Sequence, residues 1–115
     1  MYPELRWFHA IPNGGLRDKI TANKLKMEGV KGGVADCFLP VKRGQWSGLY
    51  IEMKAPKEKP VKADSKGGVK PEQFAFGNFV GSQGFGWIVC YSWEEAVLVL
   101  ESYLNVDNRT NETIQ

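Results

Sequence analysis

The sequence predicts an α/β domain, a central mixed β-sheet flanked by helices. Three observations carry this. Short apolar runs of strand length are separated by longer helical patterns. The apolar run 48–55 lies between two stretches of turn residues. A Ser-x-x-Glu signature then opens a helix directly after the last apolar run. At 115 residues the chain has room for one core. Its 43% hydrophobic, 24% charged and 12% aromatic composition excludes intrinsic disorder, collagen-like repeats and a disulfide scaffold.

Residues 2–8 begin as a short helix, because Pro3 suits a first turn and Leu5 and Phe8 lie three apart. Residues 9–11 are a brief extended segment, closed by Pro12-Asn13-Gly14-Gly15, a sequence that tolerates positive φ. A polar helix over residues 17–28 ends at Gly29. Residues 34–40 are an apolar run broken only by Asp36, and after a turn at 42–45 residues 48–55 form a buried strand. Residues 56–71 hold Pro56, Pro60, Gly67, Gly68, Pro71 and five lysines; connections this long in compact domains are usually functional.

Residues 72–82 make a helix weakened by Gly77 and Gly81, with Phe76, Phe79 and Val80 as its apolar face and Gln73 at the edge of that face. Residues 86–91 are the last strand. Ser92 caps a helix running through Tyr103, with Glu95 completing a capping box. On that helix Trp93, Ala96, Val97, Leu100, Tyr103 and Leu104 form the stripe expected to cover the sheet, while Leu98 points away from it. The domain is expected over residues 1–104, followed by a polar tail, 105–115.

No apolar run approaches the roughly 18 residues of a membrane span, and Glu4, Arg6 and His9 interrupt any secretory signal. Cys37 and Cys90 each sit in an apolar stretch and read as reduced core residues, which points to a soluble cytoplasmic protein. The single histidine, His9, excludes multi-histidine zinc sites. The glycine-rich stretch 81–86 precedes a strand, whereas a phosphate cradle opens a helix, so it is a turn. Net charge is +2, but residues 1–70 carry 14 of the 15 Lys and Arg against seven acids. That asymmetry suggests one face suited to a polyanion.

The chemistry concentrates at Asp36 and Glu52-Met53-Lys54. An acid within an apolar strand is costly unless it is paired or binds a cation. Alternation puts Glu52 and Lys54 on one side of their strand, ~7 Å apart, with Asp36 approaching from the neighbouring strand. Two converging carboxylates and a backbone carbonyl make a hard oxygen site suited to Mg²⁺ or Mn²⁺. Taken alone, the same pattern also fits a Glu52–Lys54 ion pair on a half-solvated strand.

Gly32-Gly33-x-x-Asp36, a strand ending Glu52-x-Lys54, a lysine-rich loop and Gln73 opening a helix form an ordered set. The set resembles the PD-(D/E)xK nuclease superfamily, and within it the VRR-NUC branch, the virus-type replication-repair nuclease module. The resemblance runs from Tyr2-Pro3-Glu4-Leu5 and Ile11-Pro12-Asn13-Gly14-Gly15 to Tyr91-Ser92-Trp93-Glu94-Glu95-Ala96. It implies a restriction-endonuclease-like core. It also implies Asp36, Glu52 and the main-chain carbonyl of Met53 as metal ligands and Lys54 as the catalytic lysine. Gln73 would steady the site, and Glu4 would reach the metal region through water. Ala35 stands where the superfamily's name has proline.

The activity implied is a divalent-metal-dependent DNA endonuclease of a bacterial or phage-infected cell, acting in DNA repair on branched DNA such as four-way (Holliday) junctions. Lys57, Lys59, Lys62, Lys66 and Lys70, with Asn13, Arg17 and Lys19 around the first turn, are expected to meet phosphates. Leftover apolar positions at Phe74, Leu98 and Val99 suggest a homodimer. The alternatives are a non-catalytic DNA-binding or assembly module that retains the fold, and a sequence-specific restriction-type nuclease.

Overall fold

The computed structural model describes residues 2–12, 32–61 and 66–106. The helix expected over 17–28, with Asn13, Arg17 and Lys19, lies outside the described residues, as do Lys62 and residues 107–115 of the tail. Four strands form one sheet in the order β1 (His9–Ala10), β2 (Cys37–Leu39), β3 (Leu49–Met53) and β4 (Gly86–Cys90). The first three are antiparallel neighbours, and β3 and β4 run parallel. A parallel pair needs a crossover. It is supplied by the basic connection, which contains a 3-10 turn, Pro56–Glu58, and by helix α1 (Pro71–Ser82). Helix α2 (Trp93–Leu104) follows β4. The N-terminal helix is the 3-10 segment Pro3–Trp7. The mixed sheet with helices is the architecture that the sequence predicts.

Alternation along β3 separates two chemistries. Leu49 and Ile51 join Cys37, Leu39 and Cys90 beneath Ala96, Leu100, Tyr103 and Leu104 of α2, forming the main core. Both cysteines are free and buried. Tyr50 and Glu52 take the opposite face, toward α1. There Tyr50 stacks 4.4 Å from Phe38 and meets Phe76 edge-on at 5.1 Å, giving this face its own aromatic floor.

Two apolar stripes differ from expectation. The buried residues of α1 are Gly77 and Val80, with Gln73 one turn earlier, while Phe79 is 63% exposed. The cause is Trp87 on β4: a Cβ at Gly77 would lie 2.5 Å from its ring. The helix therefore meets the sheet through its glycine, with Phe76 packed on Tyr50 beside it, while Phe74 and Phe79 turn to the flanks. On α2 the buried stripe is narrower than expected, leaving Trp93 58% and Val97 50% exposed. A sheet whose strands have two to five residues offers too small a floor for the wider stripe.

The α2 cap also differs in part. The Ser92 hydroxyl accepts from the Glu95 N–H at 3.1 Å, as a capping box requires. The Glu95 carboxylate, however, accepts from the N–H of Tyr91 at 2.9 Å, one residue before the cap.

These contacts predict opposite effects for two glycines of α1. Gly77→Ala should destabilise the fold by ~1–3 kcal/mol through overpacking on Trp87. Gly81→Ala meets nothing within 4 Å and should stabilise it by ~0.5–1 kcal/mol. Urea unfolding followed by circular dichroism measures both.

Candidate active site

The β2–β3 ladder pairs Cys37 with Ile51 and Phe38 with Tyr50. Carried one residue further, the same register sets Asp36 opposite Glu52. Like charges facing one another across a strand pair are unfavourable, so this arrangement needs compensation. Part of it comes from the backbone, because Asp36 Oδ2 accepts the N–H of Met53 at 2.7 Å.

Glu52 is only 2% exposed, the one charged residue that is buried among the described residues. Its Oε2 accepts from Gln73 Nε2 at 3.1 Å and lies 3.6 Å from the ammonium of Lys54. The Lys54 side chain is itself 11% exposed, so this pair is largely shielded from water. Glu52 Oε1 is buried and has no hydrogen-bond donor among the described residues. Burial first, and then the charge of Asp36, push the Glu52 carboxyl up to about 7 against the opposing pull of Lys54.

Gln73 is oriented from both ends of its amide. Lys70 caps α1, and its N–H donates to Gln73 Oε1 at 2.8 Å. The carbonyl is thereby held on the helix terminus, and the NH₂ is directed at Glu52. The close approach at Gly77 brings the first turn of α1 within reach of β3.

Other residues expected at the site are placed as follows. Glu4 Oε2 accepts from Arg43 Nη2 at 2.6 Å, and the same arginine donates through Nε to the carbonyl of Leu104 at 3.2 Å. Glu4 thus joins the N-terminal turn to the end of α2. Lys57 lies in the 3-10 turn, and Lys66 and Lys70 are exposed on the approach to α1. Lys59 forms a 2.5 Å ion pair with Glu95. His9 is a strand residue whose Nδ1 lies 2.9 Å from the carbonyl of Trp7. Sequence reasoning assigned a role to neither Arg43 nor Tyr91. Both act through long-range contacts that leave no local pattern.

Among the described residues, no three His, Cys, Asp or Glu side chains converge as a metal cluster. The donors that do converge are two carboxylates beside the backbone of Met53, all of them hard oxygens. Glu52 Oε1, buried without a donor, faces the same demand for positive charge. A divalent cation that keeps several waters, such as Mg²⁺ or Mn²⁺, fits this set.

No family model matches the sequence, and no curated protein matches it. Among solved structures, the chain is similar to a VRR_NUC domain protein, with a TM-score of 0.71 and 22% identity. The likeness covers 98% of this chain and 80% of that one. The two share a fold. The mixed four-stranded sheet with its helices is therefore an architecture this chain shares with that protein, and Asp36, Glu52 and Lys54 lie together at that sheet.

Cation binding can be read without any substrate. Mg²⁺ or Mn²⁺ at millimolar concentration should raise the thermal midpoint, since a ligand that binds only the folded state stabilises it. Glu52→Gln and Asp36→Asn should each remove that shift in a melt followed by tryptophan fluorescence. An equal shift in the variants would place the cation elsewhere.

Proposed function

We propose that the chain is a divalent-metal-dependent DNA endonuclease, hydrolysing phosphodiester bonds by water attack and selecting branched DNA such as four-way junctions. The observation that carries this reading is the buried Glu52, set opposite Asp36 with Lys54 at 3.6 Å, on a sheet shared with a VRR_NUC domain protein. Asp36, Glu52 and the main-chain carbonyl of Met53 would hold Mg²⁺ or Mn²⁺, which supplies Lewis-acid stabilisation of charge on the phosphate.

The chain's own groups have separable tasks. Gln73 fixes Glu52, so the carboxylate does not swing away from Asp36. The Lys54 ammonium donates to a phosphate oxygen or orients the attacking water as negative charge builds in the transition state. The water oxygen forms the new bond to phosphorus and sheds its proton to solvent, and the departing ester oxygen leaves with its electron pair and takes up a proton from solvent. Lys57, Lys66 and Lys70 neutralise phosphates beside the cut. Lys62 of the same connection, and Asn13, Arg17 and Lys19, are further basic or polar candidates for phosphate contact in this reading, while Lys59 is paired with Glu95.

A homodimer belongs to the same reading. Trp93, Val97 and Leu98 leave apolar surface on α2, and two-fold pairing is the commonest way to bury such surface. Paired sites also suit the opposed strands of a junction.

Glu52→Ala and Lys54→Ala should each slow cleavage ~10²-fold or more while leaving DNA binding in Ca²⁺ largely intact. A panel of single strand, duplex, flap, splayed arm and four-way junction, run in Mg²⁺, Mn²⁺, Ca²⁺ or EDTA, tests activity and selectivity together. Cleavage in excess EDTA contradicts the metal. Binding without cutting by the wild-type protein in Mg²⁺ favours a non-catalytic module. Light scattering tests the dimer, which a mass near the 12.9 kDa of one chain contradicts.

Replacing Lys57, Lys66 and Lys70 together should weaken binding to every DNA form alike. For every phosphate that is no longer neutralised, the slope of log K against log salt should fall by ~1. An unchanged slope would make these lysines solvated surface.

A further inference from the structure

The connection from Lys54 to α1 is tied at several points to the end of β4 and the start of α2. The β3–β4 register pairs Met53 with Cys90, and the Lys54 N–H donates to the Cys90 carbonyl at 2.9 Å. Tyr91 therefore lies alongside Lys54, and its hydroxyl donates to the carbonyl of Gly67 at 3.0 Å. Gly67 and Gly68 take φ of 61° and 76°, a left-handed pair that only glycine adopts cheaply. A Cβ on Gly67 would strike the Tyr91 hydroxyl, and one on Gly68 the Glu58 carboxylate.

Further ties hold both arms of the connection. Glu58 Oε1 accepts the Ala55 N–H at 3.1 Å, which fixes the turn straight after Lys54. Lys59 pairs with Glu95, whose other oxygen accepts the Tyr91 N–H. Beyond Gly68, Val69 is buried, and the Lys70 N–H meets the same Gln73 that holds Glu52.

We propose that Tyr91 and Glu95 are positioning residues that hold the basic connection beside Lys54, so that Lys57, Lys66 and Lys70 meet a polyanion as a preformed rim. The consequence for DNA rests on the nuclease reading above, whereas the clamp does not. Lys59 becomes an anchor of the rim, its ammonium already engaged by Glu95. Burial, then the charges of Glu58 and Glu95, raise the Tyr91 phenol above its ordinary range, so it remains a donor to Gly67. A preformed rim is ordered before DNA arrives, which lowers the entropy cost of binding.

Tyr91→Phe removes one hydroxyl and keeps the ring. Without DNA, amide hydrogen exchange at Val69 and Lys70 should become ~2–10-fold faster, the range expected for removal of one hydrogen bond. The β3 amides should not change, which separates loosening of the connection from loss of the fold. With branched DNA in Mg²⁺, KM should rise by a similar factor while kcat stays within about twofold. Unchanged exchange at Val69 and Lys70 would overturn the clamp, and faster exchange with an unaltered KM would overturn the role of the preformed rim in binding. A wild-type protein that cuts no DNA would sink the nuclease reading instead, and the exchange arm would still decide the clamp.

Discussion

Glu52 is a carboxylate buried on the less apolar face of the central strand, and much of the structure answers to it. A buried negative charge must be hydrogen-bonded and balanced, or it gives up its ionised form. Gln73 provides the hydrogen bond and Lys54 the nearest positive charge, while Asp36 adds a second negative charge from the adjacent strand. Reaching Glu52 requires α1 to lie close on the sheet, and Gly77 over Trp87 makes that approach possible. A helix that looks weakened by its glycines is thus shaped by one of them, Gly77.

The two faces of β3 divide the work of the molecule. Leu49 and Ile51 anchor the strand in the core under α2, so its register is fixed by apolar burial. A slip of one residue would send Glu52 into that core and Ile51 to the site. The stability of one face therefore aligns the carboxylates on the other. Glu4 and Arg43, together with the Tyr103 hydroxyl on the Val41 carbonyl at 2.6 Å, brace the edges of the core.

How much of this was legible depends on the range of each interaction. The strands were readable because alternation and turn residues are local signals, and β3 and β4 lie within the expected runs. Asp36, Glu52 and Lys54 stood out because charge inside an apolar run is conspicuous. Gln73 was visible as a helix-opening residue, but its bond to Glu52 depends on how α1 packs. The expected face of α1 was wrong at Phe79 because apolar periodicity weighs it above Gly77, whereas close packing on Trp87 rewards the residue without a side chain. The stripe of α2 was read too wide at Trp93 and Val97. Lys59 looked like one of a series of phosphate-binding lysines. Its partner, Glu95, is far along the chain, so nothing near it in sequence marked the ion pair.

The asymmetric charge of the chain acquires a physical setting in this arrangement. Positive residues follow directly after the strand that carries the acids, and the connection bearing them is tied to β4 and α2. A polyanion approaching Lys54 would meet positive charge first and the buried carboxylates behind it, where the proposed cation would balance their charge. Crystals of the protein soaked in Mn²⁺ test that claim most directly, through the anomalous scattering of the metal. The account predicts a peak between the Asp36 and Glu52 carboxylates, absent from Glu52→Gln crystals. A peak only at other residues, or none at a concentration that saturates activity, would contradict it.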